Sequence, residues 1–238
     1  MSPENMIEQV LAGGDDYELL WNLIGAVRDG LSIEKMRPLL SSDDPRVTAI
    51  AAYLAYELGA EMQPLLGELI PLADHPEPQC RSDIVHALIE CAGPNDLDAL
   101  SRIMLAFDDP DPFVHRSAMT FVIVARSRSL AGAISEAAKR YPGTPFEDIF
   151  FVLVEGRHRL GSHWERVTAA KLTELIGHEN AIVRRFGVGL AARPKLVVDA
   201  GFLEIARDCR DTEGLIMLDH ISRRPKPTGA RVAKLDFV

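Results

Sequence analysis

Several features that mark common protein classes are missing from this sequence of 238 residues. The longest uninterrupted apolar run, residues 49–56, is far shorter than the roughly 20 residues that a membrane-spanning helix requires. The N-terminus has no basic segment leading into an apolar one, so no secretory signal is expected. The three cysteines, Cys80, Cys91 and Cys209, are widely spaced and odd in number, which argues against a disulfide framework or a zinc knuckle. We therefore expect a cytoplasmic protein without a membrane contact.

No catalytic motif is complete either. Residues 187–192 match the pattern G-x-G-x-x-A, but a dinucleotide fingerprint must follow a strand and open a helix. The register of this sequence places the segment inside a helix, where glycines permit close helix packing. His178 and Glu179 begin an H-E-x-x-H motif, but Ile182 stands where the second histidine is required. We predict no catalytic residue.

One group of possible metal ligands surrounds Trp164. It consists of His158, His163 and Glu165. The basic neighbours of this group would repel a cation; they are Arg157, Arg159 and Arg166. The sequence therefore predicts neither a metal ion nor a cofactor.

Positive charge is scarce in the first half of the chain. Residues 1–125 contain 7 Lys and Arg against 21 Asp and Glu, a net −14, whereas residues 126–238 contain 19 against 14, a net +5. The two halves together give the net charge of −9. One explanation is ordinary solvated helix faces, whose single charges contribute little. The other is an acidic half that attracts a cationic partner and speeds its association.

What the chain does contain is a repeated corner followed by a helix. In residues 105–125, Asp109 can cap a helix, and Pro110 or Pro112 fits its first turn. Similar corners place equivalent apolar residues at Val47, Cys80, Val114 and Val183. The steps between these positions are 33, 34 and 69, so a degenerate copy is expected near Ile149. A period near 34 with two helices per repeat is typical of an α-solenoid.

An aspartate in the corner, a valine soon after it and often an adjacent arginine resemble the HEAT-repeat pattern. The resemblance covers roughly residues 30–193 and is weaker at both ends. It implies an all-α fold: a right-handed α-solenoid of about six to seven helical hairpins, with the second helices lining the concave side. We therefore predict one repeat domain over residues 1–224 and a basic tail over residues 225–238. Because the HEAT class is defined by shape, the resemblance implies no activity.

The same periodicity predicts the helix positions. First helices are expected near 3–12, 33–41, 62–73, 95–106, 129–140, 165–177 and 200–209. Second helices are expected near 16–29, 45–58, 78–92, 111–126, 145–157, 180–193 and 212–223.

Outside the apolar stripe of the second helices, equivalent positions form ladders from repeat to repeat. The first ladder is Tyr53, His86, Thr120 and Gly189, and the second is Glu57, Glu90, Val124 and Arg193. A third, near the helix starts, is Thr48, Arg81, His115 and Arg184, flanked by Arg116 and Arg185. In a solenoid such ladders face the groove.

From these ladders we predict a partner-binding site. Its residues are Tyr53, Glu57, His86, Glu90, His115, Arg116, Thr120, Arg184 and Arg185. Tyr53, with Tyr56 nearby, is the expected anchor, because interfaces centre on a buried aromatic or arginine side chain. A solvated face without any partner is the alternative explanation for each residue.

Three functions follow for a protein of this shape. The leading hypothesis is a non-enzymatic scaffold that binds a protein in its groove, with an inhibitor or immunity protein that covers a basic partner as a specific version. The alternative is nucleic-acid binding or DNA repair, since some HEAT-like proteins are alkylpurine DNA glycosylases. A third hypothesis is a lyase that attaches bilin chromophores, as another HEAT-like group does, but only the expected fold suggests it. The oligomeric state is left open.

Overall fold

The computed structural model describes residues 1–154, 167–193 and 201–223, and within these ranges the chain is all-helical. The predicted basic tail, 225–238, lies outside the described residues. So do the possible metal ligands around Trp164, which are His158, His163 and Glu165. The α-helices are α1 Pro3–Leu11, α2 Tyr17–Arg28, α3 Arg37–Leu40, α4 Pro45–Leu58, α5 Leu66–Leu72, α6 Pro78–Cys91, α7 Leu97–Leu105, α8 Pro112–Val124, α9 Ser127–Arg140, α10 Pro145–Val154, α11 Ala169–Gly177, α12 Ala181–Ala191, α13 Gly201–Arg207 and α14 Thr212–Ser222. Short 3₁₀ segments occupy Ile33–Met36, Gly59–Leu65 and Ala106–Asp108. None of the described helices is long and apolar enough to cross a membrane.

The helices form two rows. In one row α2, α4, α6 and α8 pack successively against each other, followed by α12 and α14. In the other row α1, α3, α5, α7 and α9 pack in the same order. Helices of the same pair also touch, as α5 does with α6 and α11 with α12. Each pair therefore covers its apolar face with its own partner and with the next pair.

The irregular copy near Ile149 differs from the simple repeat. A helix, α10, does begin at Pro145, and it packs against α9, α11 and α12. The helix that lies next to α8 in the row of second helices is α12. The step of 69 residues between Val114 and Val183 thus arises because α10 does not come between α8 and α12.

Equivalent residues of the second helices form the core. Val47, Cys80, Val114 and Val183 are all at most 1% exposed. They fall on the face that each helix turns towards its neighbours, since apolar side chains at helical spacing lie on one side. The predicted repeat register therefore agrees with the observed burial.

The corners before these helices share a hydrogen-bonding pattern. The N-cap side chains of Asp44, Asp111, Asn180 and Asp211 accept backbone N–H groups of the first turn at 2.8–2.9 Å. Two residues before each of these N-caps, and before Glu77 at the start of α6, another side chain accepts the N–H of the N-cap residue at 2.9–3.5 Å; these acceptors are Ser42, His75, Asp109, His178 and Cys209. Both bonds satisfy N–H groups that a helix start leaves unpaired.

The glycines of α12 bring this helix close to its neighbours. A Cβ atom on Gly189 would lie 3.0 Å from Cβ of Val122 and 3.3 Å from the carbonyl oxygen of Met119, both on α8. A Cβ on Gly187 would lie 3.0 Å from Cβ of Leu175 on α11. The G-x-G-x-x-A pattern is thus explained by packing inside a helix, as the sequence predicts.

We predict that Gly189→Ala lowers the free energy of unfolding by about 1–3 kcal/mol, because the added methyl must displace Val122 and the backbone of α8. Gly25→Ala is the matched control, since a Cβ there meets nothing within 4 Å inside α2. This control should raise stability by about 0.5–1 kcal/mol. Urea unfolding measures both; equal effects would contradict the close contact between α8 and α12.

Candidate partner-binding site

Four of the predicted site residues lie together on α4 and α6. Tyr53 and Glu57 are half-buried on α4, and His86 and Glu90 lie on α6. The ring of Tyr56 meets the ring of His86 edge to face, with centroids 5.6 Å apart. The structure therefore brings the acidic and aromatic half of the predicted set into one place.

A surface cavity of about 420 Å³ opens between the C-terminal ends of these two helices. We call it the acidic cleft; its polar and aromatic lining consists of the cation Arg28 together with Tyr56, Glu57, Glu61, His86 and Glu90. The carbonyl ends of two helices carry partial negative charge, which adds to that of the carboxylates. The cleft is therefore suited to a cation.

Asp83 extends this face by one turn of α6 and was not among the predicted residues. Its side chain is only 8% exposed, and its described hydrogen bond comes from Nε2 of Gln79 at 2.7 Å. Burial raises the pKa of Asp83 to about 6; the Gln79 bond opposes the shift, whereas the charges of Glu77 and Glu57 add to it. The sequence signal was available, because Asp83 falls between Gln79 and His86 at helical spacings of four and three.

The carboxylates of this face are not matched by cations within the described residues. No described Lys, Arg or His forms an ion pair with Glu57, Asp83 or Glu90. Arg28 is the nearby cation, but its Nη2 donates to the backbone carbonyl of Glu57 at 2.7 Å. Arg28 thus shows a guanidinium bound at the C-terminal end of α4 while the carboxylates beside it stay unpaired.

Two basic residues of the predicted set, Arg116 and Arg185, form ion pairs with carboxylates of the protein itself. Nε of Arg116 donates to Glu213 at 3.0 Å, and Nε of Arg185 donates to Asp211 at 3.1 Å. Arg185 also donates through Nη1 to the carbonyl of Phe107 at 3.2 Å. The sequence predicts that these guanidinium groups contact a ligand, whereas the structure uses them to join α8, α12 and α14.

His115 and Thr120 also form hydrogen bonds with carbonyl groups of the protein itself. The Nε2 atom of His115 is bonded to the carbonyl of Asp109 and lies 3.3 Å from Nη1 of Arg185. Burial and the adjacent Arg185 lower the pKa of His115. Thr120 donates to the carbonyl of Arg116 one turn earlier, at 3.0 Å. These two residues therefore belong to the packing of α8 rather than to the acidic cleft.

Arg81 shows how one repeat is joined to the next. Its Nη1 donates to the carbonyls of His75 and Pro76 at 2.9 Å in its own corner. Its Nε and Nη2 donate to both carboxylate oxygens of Asp109 in the next corner, at 2.7 and 2.8 Å. Burial opposes ionisation of Asp109, but the bonds from Arg81 and from the backbone of Asp111 hold its pKa below the usual value.

Arg184 occupies the equivalent position in α12, but its Nε makes no bond to a carboxylate like the bond of Arg81 to Asp109. Its Nη1 donates to the carbonyls of His178 and Glu179 at 2.7 and 2.6 Å, as Arg81 does in its corner. Its Nε is buried without a hydrogen-bond partner in the described structure. The reason is that a thiol, Cys209, stands where the earlier repeat has the carboxylate of Asp109.

We therefore predict that Cys209→Asp raises the free energy of unfolding by about 1–3 kcal/mol by pairing with Arg184. The gain should disappear in the Arg184→Gln background, which a double-mutant cycle measured by urea unfolding will show. Cys209→Asn controls for size and neutral hydrogen bonding. An equal change in both backgrounds would contradict the pairing.

Asp83 should make stability depend on pH in an unusual direction. Because its pKa is raised from 3.8 to about 6 in the folded protein, the carboxyl group destabilises the fold as pH rises through this interval. The stability of Asp83→Asn relative to wild type should thus increase by about 2–3 kcal/mol between pH 4 and pH 7.5. Urea unfolding across this range tests it, and a difference that stays constant with pH would be incompatible with burial of the carboxylate. The trend should persist in 1 M NaCl, because burial is its first cause.

Comparison with protein-family models and with curated proteins finds no match. Among solved structures, the chain is similar to the crystal structure of an engineered protein from the Northeast Structural Genomics Consortium. The two are 18% identical over 93% of this chain and 97% of that chain, with a TM-score of 0.48. In the described ranges no group of His, Cys, Asp and Glu could hold a metal ion.

Proposed function

We propose that this protein is a non-enzymatic, HEAT-like scaffold that binds a basic protein. In this proposal the chain is a right-handed α-solenoid, and the row α2, α4, α6, α8, α12 and α14 lines its concave side. The repeated corners and the successive packing of these helices support the solenoid. The three described cysteines are free and buried, which fits a reducing compartment such as the cytoplasm.

One observation carries the proposal: the acidic and the basic residues of the predicted site use their charges differently. Glu57, Asp83 and Glu90 have no cationic partner among the described residues, whereas Arg116 and Arg185 are paired internally. Unpaired carboxylates beside exposed aromatic rings favour a cationic partner, because attraction between unlike charges raises the association rate and selects the partner. A specific version is an inhibitor or immunity protein that covers the basic surface of a toxin or nuclease.

Nucleic-acid binding or repair is the alternative proposal. The net positive charge of residues 126–238 favours it. The internal pairing of Arg116 and Arg185 argues against nucleic-acid binding. These guanidinium groups would have to leave Glu213 and Asp211 to reach a phosphate. Because salt weakens both a phosphate contact and a contact between opposite charges of two proteins, the captured molecule itself must be identified to distinguish the two proposals.

The test is a pull-down with the tagged protein from lysate of its native source, at low and moderate salt. We expect Glu57→Gln/Glu90→Gln to lose a stoichiometric basic protein that the wild type retains. Glu4→Gln/Glu8→Gln is the charge-matched control, since both side chains are exposed on α1 in the other row. Replacing Tyr53 together with Glu57 and Glu90 should abolish capture.

Equal capture by the cleft variant and by its control would refute the proposed binding face. Recovery of nucleic acid that is lost steeply with salt would support the alternative. Purified partner and scaffold then allow the dissociation constant to be measured directly for the same variants.

A further inference from the structure

A second surface cavity, of about 1410 Å³, lies on the first helix pair. All its lining residues belong to α1, α2 and the adjoining loops, between Met1 and Leu31, and none belongs to α3 or α4. We call this cavity the α1–α2 groove. A Cβ atom on Gly25, one of its lining residues, would meet nothing within 4 Å. The groove is therefore open at a side of the first pair that the next pair does not cover.

Much of this surface is apolar or aromatic. Met6 and Leu19 line the groove and are less than one-tenth exposed. Trp21 also lines it and is 37% exposed, and its ring meets that of Tyr17 edge to face, with centroids 5.8 Å apart. Tyr17 itself is 69% exposed. Exposed aromatic side chains beside an apolar cavity are typical of an interaction surface.

The charged side chains that line the α1–α2 groove are all acidic; they are Asp15, Asp16, Glu18 and Asp29. The carboxylate of Asp16 caps α2 by accepting two backbone N–H groups at 3.0 and 3.1 Å. No Lys, Arg or His of the described ranges forms an ion pair with any of the four. Arg28 on α2 donates instead to the carbonyl of Glu57. The groove thus favours an occupant that has both apolar and positively charged side chains.

Residues 224–238 of this chain have that combination, and they follow α14, which lies at the far end of the row from α2. The segment contains four basic residues and one aspartate, a net charge of +3; the basic residues are Arg224, Lys226, Arg231 and Lys234. Val232, Leu235 and Phe237 stand beside or after the last two of these. Two copies that met through the same groove would instead bring like charges together, which opposes association.

The segment 224–238 is too short to fill the groove of its own chain. Packed helices lie about 8–10 Å apart, so the path from α14 through α8, α6 and α4 to α2 covers about 32–40 Å along the row. An extended chain advances about 3.4 Å per residue, so this path uses roughly ten to twelve residues of the segment. About the last four residues would then reach the groove, and these come after Lys234, the last basic residue.

We propose that residues 224–238 of a second copy lie in the α1–α2 groove, so that copies of this protein associate head to tail. The apolar side chains of the segment cover Trp21 and Met6, and its basic side chains pair with the carboxylates of the groove. A contact between two different surfaces does not close on itself as a symmetric dimer does, so it produces chains or rings. This contact uses α1 and α2 and is independent of the acidic cleft, and it therefore goes beyond the proposed function.

Sedimentation velocity of the full chain over a wide range of concentration tests the proposal. We expect the average sedimentation coefficient of wild type to rise continuously with concentration. Glu18→Lys/Asp29→Lys in the groove and Arg231→Glu/Lys234→Glu in the segment should each weaken association at least about tenfold, because attraction becomes repulsion. Glu4→Lys/Glu8→Lys is the matched control, since both side chains are exposed on α1 and neither lines the groove. It should change association less than about twofold.

Mixing the two charge-reversed variants identifies the pair of surfaces. The unchanged groove of one variant fits the unchanged segment of the other, and the two reversed surfaces also have opposite charges. We expect the mixture to associate although neither variant does so alone, and a chain that carries both reversals to associate as wild type does. Gly25→Gln narrows the groove without changing its charge and should also weaken association. Circular dichroism verifies the fold of every variant.

Three results would overturn the inference. A wild type that stays monomeric at every concentration has no such contact between copies. Association that ends at a dimer and is unaffected by reversal of the segment indicates a symmetric interface elsewhere. Equal weakening by the groove variant and by Glu4→Lys/Glu8→Lys would show that only the overall charge matters. None of these results affects the proposed function, which depends on capture of a basic protein by the face of α4 and α6.

Discussion

Each helix pair of this protein has apolar surface that only the next pair covers, and the rest of the structure depends on this stacking. Val47, Cys80, Val114 and Val183 are buried because α4, α6, α8 and α12 lie side by side. The corners must then bring every helix start to the same relative position. The repeated acceptor two residues before the N-cap meets this requirement with different side chains, including hydroxyl, imidazole, carboxylate and thiol groups.

The bonds between neighbouring helices use different side chains along the chain. Oγ1 of Thr48 and Nε2 of His75 join α4 to the next corner at 3.2 Å. Further along, ion pairs make the equivalent connection, from Arg81 with Asp109 to Arg185 with Asp211. Each of these two pairs joins opposite charges of the same half, so it leaves the net charge of that half unchanged. The acidic face of α4 and α6 has no comparable internal use in the described chain.

The sequence predicted the helices well because apolar stripes mark them and because a capping side chain or a proline marks the start of several. For example, α4 coincides with the predicted range 45–58. The packing of α10 was not predictable, since a local pattern determines where a helix begins but not which helices it contacts. The same limit applies to the site. Tyr53, Glu57, His86 and Glu90 share a face by spacing alone, whereas the pairing of Arg116 with Glu213 joins residues 97 positions apart. The spacing of Asp83 on this face was available in the sequence, but its burial without a described counter-ion was not.

The direct packing of α12 against α8 has a consequence for how the chain folds. Bonds between α4 and its neighbouring corner join residues 27 to 30 positions apart, so the first repeats assemble from nearby segments. Where α12 meets α8, Arg193 reaches the carbonyl of Val122 across 71 positions. Closing so long a loop costs more chain entropy and is slower than forming local contacts. We therefore expect the contact between α8 and α12 to form after the local contacts of the first helices.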